Sequence, residues 1–366
     1  MNTSRQNTRS VHKTALLLSG GVDSSVALRL LLEKGNPVTA FYLKIWLQDD
    51  LAFLGDCPWE EDLRYAGAVC KQAGVPLEII SLQREYWDLV VSYALKELKA
   101  GRTPNSDVFC NSLIKFGVFI DKIGASFRKV ASGHYARVEQ QNGKYLLKQT
   151  DDPVKDQTYF LSYLQQRQLS RLLFPLGDYT KKEVRALAQK WNLPNKNRKD
   201  SQGICFLGQF RYRDFVKFHL GEKPGDFIEA GTGKKLGQHQ GYWFYTIGQR
   251  QGLGLSGGPW YVVRKEPGSN TVWLSHRRYV ENIPADSFGL KDLSWISGKW
   301  PELKDLKVKI RHGPEFIKCR IEKTGDAEGI VYLERPDNGI AGGQFAALYR
   351  EEVCLGAGII NEIEFG

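Results

Sequence analysis

The sequence predicts an α/β chain in three parts: an N-terminal region built on a parallel sheet, a small central region, and a C-terminal region of short strands. Three observations predict it. Strand-like and helix-like runs alternate from Thr14 to about Gly208, the pattern of βαβ units. Glycines, turn residues and aromatic runs then replace that alternation from Gly221 onward. From about Ile283 short β-prone stretches recur between turn residues, which suggests a small barrel or sandwich.

In chain order, Ala15 to Leu18 is a short apolar run, Ser19 to Asp23 a Gly-rich turn, and Ser24 to Lys34 an apolar-periodic helix. Gly35-Asn36-Pro37 stops that helix, and Val38 to Ile45 reads as the next strand. A helix at Leu63 to Gly74 leads to a strand at Pro76 to Leu82 and a second helix at Trp87 to Lys99. Gly101 to Asp107 is turn-rich, Ser112 to Ile123 helical, and Lys129 to Ser132 a strand running into Gly133-His134. Gln209 to Leu220 is aromatic and basic, a short helix. The C-terminal strands are expected at Leu306 to Arg311, Phe316 to Glu322, Ile330 to Glu334, Gln344 to Tyr349 and Glu352 to Ala357. The boundaries that follow are 12–208, 209–281 and 282–366.

The 366 residues suit two or three domains, and 42% hydrophobic residues supply their cores. No run approaches the apolar length of a membrane span. Met1 to Lys13 is polar, basic and free of acids, and it lacks the apolar core of a secretory signal; a frayed end or the stub of a transit peptide fits it. Lysine and arginine exceed aspartate and glutamate by 51 to 41, a net +10 that suits a polyanionic partner or ordinary solubility about equally. Six scattered cysteines, none in a CxxC pair, exclude a disulfide framework and argue against a structural zinc site.

Ser19-Gly20-Gly21-Val22-Asp23-Ser24-Ser25 joins the first strand to the first helix. Backbone N–H groups and hydroxyls in such a turn converge on an anion at the helix N-terminus, and the two glycines allow close approach. The turn has neither the Gly-Lys-Ser/Thr of a P-loop kinase nor the GxGxxG of a dinucleotide site. Asp23 would repel bare phosphate, and its carboxylate makes sense as a ligand of Mg²⁺ bridging a pyrophosphate. The plainer alternative is a Gly-rich connection in which Asp23 and Ser24 act as caps.

Two cysteines stand apart. Cys110 lies in Thr103-Pro104-Asn105-Ser106-Asp107-Val108-Phe109-Cys110-Asn111, ahead of a predicted helix and near Lys115, where a thiolate is favoured. Cys205 lies in the polar Lys199-Asp200-Ser201-Gln202-Gly203-Ile204-Cys205-Phe206, beside Arg198. For Cys57, Cys70, Cys319 and Cys354 the reading is a small buried hydrophobe.

SGGVDSS resembles the pyrophosphate loop of the ATP pyrophosphatases, the PP-loop superfamily, which split ATP between its α and β phosphates. NSDVFCN and DSQGICFLG are similar to the NPDxxCN and DSTGICF motifs of the tRNA-specific 2-thiouridylase family. SGHYAR, KDQTYFL, GQHQGYWFYTIGQRQGLG and PWYVV look like further landmarks of that family, in its order, from about Lys13 to the C-terminus.

The resemblance implies an adenine-nucleotide α-hydrolase-like (PP-loop, Rossmann-like) first domain, a small central tRNA-binding domain and a C-terminal β-barrel. It implies ATP on Leu18 to Ser25 with Mg²⁺ on Asp23, and Leu43 and Gly133 around the adenosine. Asn105, Ser106 and Asp107 match the segment that meets the target base, with Asp107 a candidate general acid/base. Cys110 matches the nucleophile and Cys205 the persulfide carrier. His134, Lys155, Asp156, Gln157, Arg311, His312 and Gln344 match tRNA contacts. Ser106 replaces the family's usual proline, Gln202 its threonine and His312 its tyrosine, and Leu43 stands where methionine is frequent. The activity implied is transfer of sulfur to C2 of the wobble uridine of lysine, glutamate and glutamine tRNAs, with release of AMP and pyrophosphate. A cysteine desulfurase or relay protein as donor, a monomeric state, and a cytoplasmic, plastid or mitochondrial location are also implied.

Three rivals share parts of this pattern: a ligase that adenylates but adds nitrogen, an iron–sulfur thiolase using Cys110, Cys205 and a third ligand such as Cys70, and a non-catalytic RNA-binding module. The base must be flipped from its stack to be reached, and Tyr135, Phe109 and Phe206 are stacking candidates, although core packing explains each singly. Phe210 to Arg213 and His276 to Tyr279 are basic-aromatic clusters suited to RNA.

Overall fold

A computed structural model describes residues 13–45, 59–200, 212–276, 286–337 and 339–361. Cys57, Cys205, Phe206 and most of the two basic-aromatic clusters lie outside them.

The N-terminal region forms a five-stranded sheet in the order β3-β2-β1-β4-β7. Its strands are β1 (Thr14–Leu17), β2 (Val38–Lys44), β3 (Leu77–Ser81), β4 (Lys129–Ser132) and β7 (Leu172–Leu173), and every pairing is parallel. β1 is buried throughout because it lies between β2 and β4 with helices on both faces, so its sequence is a continuous apolar run without alternation. Helix α1 (Val22–Glu33) packs Val26, Leu28, Leu30 and Leu31 into one core cluster, shared with Val69 of α2 (Trp59–Ala73) and with Val184 and Ala188 of the helix Lys181–Lys190.

The chain passes from β1 to β2 to β3 on one side and then returns to β4 on the other, so the sheet's switch point lies between β1 and β4. In open α/β sheets, ligands bind outside the carboxyl ends of the strands at such a point.

The helical run expected to start at Ser112 starts at Ser106 and continues to Ile123, with a π-helical stretch at Cys110–Val118 between short α-helical pieces. Asn111 Nδ2 donates to the Asp107 carbonyl (3.0 Å) and Ser112 Oγ to the Val108 carbonyl (2.9 Å). These side chains occupy carbonyls that the α-helical ladder would use, which favours the wider turn. Gly117 is needed there: a Cβ would lie 2.9 Å from the Ser112 carbonyl oxygen.

The middle of the chain carries a four-stranded sheet, order β10-β11-β8-β9, from β8 (Gly225–Glu229), β9 (Lys235–His239), β10 (Tyr261–Glu266) and β11 (Thr271–Ser275). Of the barrel and sandwich left open by the sequence, the C-terminal region is a barrel. Six antiparallel strands, β12 (Ser287–Trp295), β13 (Leu306–Lys309), β14 (Ile317–Lys323), β15 (Gly329–Leu333), β16 (Phe345–Arg350) and β17 (Val353–Asn361), close through a β12–β17 pairing. At the seam Gly356 (φ 153°) lets the strands touch, since a Cβ there would sit 2.3 Å from the Ser294 carbonyl oxygen. A hairpin from the N-terminal half, β5 (Arg137–Gln141) and β6 (Lys144–Lys148), extends this sheet by pairing Lys148 with Val353.

Candidate active site

The Ser19–Ser25 turn leaves β1 and enters α1 at the switch point. Gly20 adopts φ 75°, where a side chain would strike the Asp62 carbonyl oxygen at 2.3 Å. The Gly20 carbonyl is engaged from behind by Asn195 Nδ2 (2.7 Å) and Arg198 (3.2 Å), so this acceptor is not turned at an incoming anion. Gly21 is the N-cap of α1; its own N–H donates to Ser19 Oγ (3.4 Å), and having no side chain it caps none of the N–H groups that follow. The Gly21 carbonyl accepts both Ser24 Oγ (3.1 Å) and Ser25 Oγ (2.9 Å). A helix end with uncapped N–H groups and flanking hydroxyls is suited to phosphate oxygens. Leu18 and Val22 are buried and can meet a nucleotide only through their backbone, whereas Ser19 is exposed.

Gly133, at the end of β4, lies against this helix end: a Cβ would be 2.7 Å from the Ser24 nitrogen. Leu43 sits at the carboxyl end of β2, half-buried against the core. The turn, Gly133 and Leu43 thus share the carboxyl edge of three adjacent strands.

Asp23 Oδ1 accepts from Tyr135 Oη (3.0 Å) and pairs with Lys181 Nζ (2.6 Å). Lys181 also reaches Asp200 (2.8 Å), which pairs with Lys155 (2.9 Å) and Arg185 as well. Partial burial opposes ionisation of Asp200, but Lys181 and Lys155 outweigh it and hold the carboxyl well below the usual carboxylate range. Burial and the neighbouring Asp23 push the Tyr135 phenol well above its ordinary range. Sequence reasoning missed Lys181 and Asn195, and it set Arg198 beside Cys205 rather than at the turn. A usable signal was present for Lys181: Thr180-Lys181-Lys182-Glu183 is a capping box, so Lys181 opens a helix.

Asn105 is the N-cap of the helix that carries Asp107 and Cys110, its Oδ1 accepting from the Val108 N–H (3.4 Å). Ser106 is buried and Asp107 half-buried in the first turn. Cys110 is not in a polar loop ahead of the helix but inside it, 1% exposed within the main core cluster. The turn-forming residues misled because Asn, Ser and Asp are as typical of a helix start as of a loop. Phe116 on this helix lies 5.8 Å from the half-buried His134 ring, whose Nδ1 bonds Ser132 Oγ (2.8 Å). Burial, aided by the Lys115 charge, pushes the His134 pKa well below its usual value.

The residues expected at tRNA are engaged within the chain. Lys155 holds Asp200, and Gln157 pairs with Tyr135 in both directions, Oε1 accepting from its N–H (2.9 Å) and its own N–H donating to the Tyr135 carbonyl (2.9 Å). Asp156 is 1% exposed, and its carboxylate meets Thr158 Oγ1 (2.8 Å), Gln149 (3.4 Å) and the buried Lys309 (3.2 Å). That places Asp156 in the joint between the first region and the barrel. Arg311 forms a two-pronged pair with Asp337 (2.8 and 2.6 Å), and His312 packs on Phe160 with ring centres 4.6 Å apart. Gln344 Nε2 donates to the Thr103 (3.1 Å) and Pro104 (3.2 Å) carbonyls, and Asn105 Nδ2 donates to Gln344 Oε1 (3.4 Å). The barrel therefore braces the strap leading to Cys110.

Phe109 packs edge-on against Tyr93, Tyr163 and Phe345, and Tyr135 is 1% exposed, so both fill core. Cys70 and Cys354 match the reading as buried hydrophobes, whereas Cys319 is only half-buried against the barrel core; burial pushes the first up to about 11 and Cys354 and Cys319 to about 12.

Comparison with known proteins agrees with this arrangement. Family profiles described as tRNA methyl transferase HUP domain, tRNA methyl transferase PRC-barrel domain and aminomethyltransferase beta-barrel domain match residues 12–209, 213–276 and 285–360. The chain is 47% identical to tRNA-specific 2-thiouridylase MnmA 1 of Bacteroides thetaiotaomicron, over 95% of this chain and 99% of the relative. It is 48% identical to MnmA 2 of Bacteroides fragilis over the same shares, and 45% identical to MnmA of Parabacteroides distasonis over 94% and 98%. With relatives this similar along nearly its whole length, and with the loop and cysteine motifs in their expected order, the chain belongs to the tRNA-specific 2-thiouridylase family.

Proposed function

We propose that this chain is an ATP-dependent tRNA-uridine 2-sulfurtransferase, acting on the wobble uridine of lysine, glutamate and glutamine tRNAs. The observation that carries the reading is an uncapped helix end at the sheet's switch point, lined by Gly20, Gly133 and the hydroxyls of Ser24 and Ser25. The three units, 12–208, 209–281 and 282–366, serve as the adenylating domain, a central RNA-binding domain and a barrel that braces the catalytic strap. Relatives of the same length are named for 2-thiouridylation, while the family profiles carry a methyl-transfer name. The phosphate-binding turn favours the former, since adenylation of the base requires one.

The C2 oxygen of uracil is a poor leaving group. In this reading it attacks the α-phosphate of ATP, the α–β bridging bond breaks toward pyrophosphate, and Asp107 takes the N3 proton. A persulfide on Cys205 then attacks C2, and AMP departs. The Cys110 thiolate attacks the Cys205 sulfur, leaving a thiolated base and a Cys110–Cys205 disulfide, which an external thiol reduces. The two sulfurs must come within bonding distance, about 2 Å. Cys110 is buried, so its turn at the substrate requires movement around the Asn105 cap. A cysteine desulfurase or relay protein supplies the persulfide, and Arg311, His312, Gln344, His134, Lys155 and Gln157 are the proposed tRNA-facing set.

For Mg²⁺ the donor set is one carboxylate, Asp23, with its side chain 32% exposed; among the described residues no cluster of three ligating side chains exists. A single carboxylate suits a magnesium ion that takes its remaining oxygens from phosphates and water, where it offsets pyrophosphate charge.

The test is nucleoside mass analysis after incubation with unmodified glutamate tRNA, Mg²⁺-ATP and a persulfide donor. 2-Thiouridine is expected from the wild type and not from Cys205→Ser. ATP cleavage without sulfur entering the tRNA would show the loop assignment right and the substrate wrong.

A further inference from the structure

The phosphate turn has no lysine of its own, because its sequence lacks the Gly-Lys-Ser/Thr that supplies one in P-loop proteins. Cleaving ATP between its α and β phosphates nevertheless adds negative charge to the departing pyrophosphate, and stabilising charge that develops in the transition state is a large source of rate. Beyond the metal ion that accompanies ATP, any protein cation has to come from elsewhere in the fold. Among the described residues, two cationic side chains lie at the turn. Arg198 is spoken for: it bonds the Gly20 carbonyl (3.2 Å), pairs with Asp62 and with Glu61 (3.3 Å), and lies over the Tyr65 ring at 4.9 Å. Lys181 differs. Among the described residues its ammonium pairs with two carboxylates, Asp23 of the turn (2.6 Å) and Asp200 (2.8 Å), and its side chain is 16% exposed on a flexible four-carbon stem.

We propose that Lys181 is a catalytic residue of the adenylation step, its ammonium passing from Asp23 and Asp200 to the β-phosphate of the leaving pyrophosphate. This rests on the adenylating function proposed above. The O2–Pα bond forms as the Pα–O bond to the β-phosphate breaks, the electron pair stays on pyrophosphate, and Lys181 meets the new charge without giving up its proton. The surroundings favour such a transfer. Asp200 keeps Lys155 (2.9 Å) and Arg185 after Lys181 leaves, so no carboxylate is stranded there. Asp23 is released to hold the metal ion that accompanies ATP. The mount is rigid: the Lys181 N–H donates to Asp152 Oδ2 (3.1 Å), Thr180 and Glu183 cap the helix reciprocally, and Val184 and Ala188 share a core cluster with Val26 and Leu30 of α1.

Pyrophosphate release from Mg²⁺-ATP in the presence of unmodified tRNA, and calorimetric binding of inorganic pyrophosphate, test this on the full chain. Lys181→Met is expected to slow release about 100-fold or more and to weaken pyrophosphate binding about tenfold, with a melting temperature close to wild type. Lys181→Arg, which keeps both carboxylates paired, covers the case in which the methionine variant does not fold. Its planar fork cannot centre a point charge, and about a tenfold slower release is expected. Wild-type release from whichever variant is folded overturns the role of Lys181 while leaving the adenylating reading intact. A wild-type chain that releases no pyrophosphate overturns both.

Discussion

His134 illustrates how a single residue's surroundings set its charge. Its ring lies between Phe116 (5.8 Å) and Phe174 (5.9 Å), with Lys115 near enough to oppose a second positive charge. The folded state therefore binds a proton less readily than the unfolded chain, whose histidine titrates near 6.5. As pH falls through that value the unfolded state gains protons first, so the stability present above it is lost below it. Burial also lowers the pKa of His219 and His239, which act in the same direction. The urea midpoint is expected to drop between about pH 7.5 and about pH 5.5, and to drop less in His134→Gln; equal slopes would remove His134 from the account. At this scale the sequence was most informative where geometry is local. A Cβ would clash at Gly20 and Gly133; the first was legible from its Gly-rich turn between strand and helix, the second only through the family resemblance. Lys181 was not, since it lies 158 positions from Asp23 and nothing local links them.

Among elements, the helix Ser106–Ile123 matters most, because it carries Asp107 and Cys110 behind a cap that is also a strap. Asn105 accepts from Val108 N–H and donates to both Tyr159 Oη and Gln344 Oε1, each at 3.4 Å. Asn105→Ala is expected to cost about 1 kcal/mol of stability, read from urea unfolding, as other N-cap removals do. Thiolation should fall by more than that loss of stability explains, since the strap also sets where Asp107 and Cys110 sit. A variant with the stability change and full activity would make Asn105 a cap and nothing else. The strands β1, β2, β3 and β4 were legible to within a residue or two from apolar runs bounded by Gly and Pro. The π-helical stretch was not, because it depends on Asn111 and Ser112 taking backbone carbonyls, a choice that composition does not announce.

For the whole molecule, the joint between the first region and the barrel is the least legible feature. Asp156 and Lys309, 0% and 1% exposed at the side chain, meet at 3.2 Å across 153 positions, and Thr158 Oγ1 bonds Tyr349 Oη (3.1 Å) beside them. Removing one member leaves a buried charge without its partner, so Lys309→Met is expected to destabilise by about 3–5 kcal/mol. The pair Asp156→Asn with Lys309→Met should recover most of that; urea unfolding of the four proteins decides it, and an additive double variant would contradict the coupling. The parallel-sheet first region and the all-strand C-terminal region were readable from the change in periodicity, but the hairpin β5–β6 was not read as strands at all, because register between distant strands leaves no local trace. That hairpin has a consequence for synthesis. Lys148 finds its strand partner Val353 only 205 positions later. At translation rates of about 5–20 residues per second, its open edge waits on the order of 10–40 s for completion. Once β7 and the helix Lys181–Lys190 have followed, a ribosome-bound chain spends the rest of that interval with an unpaired strand beside the N-terminal sheet, a state exposed to pairing with a neighbouring nascent copy.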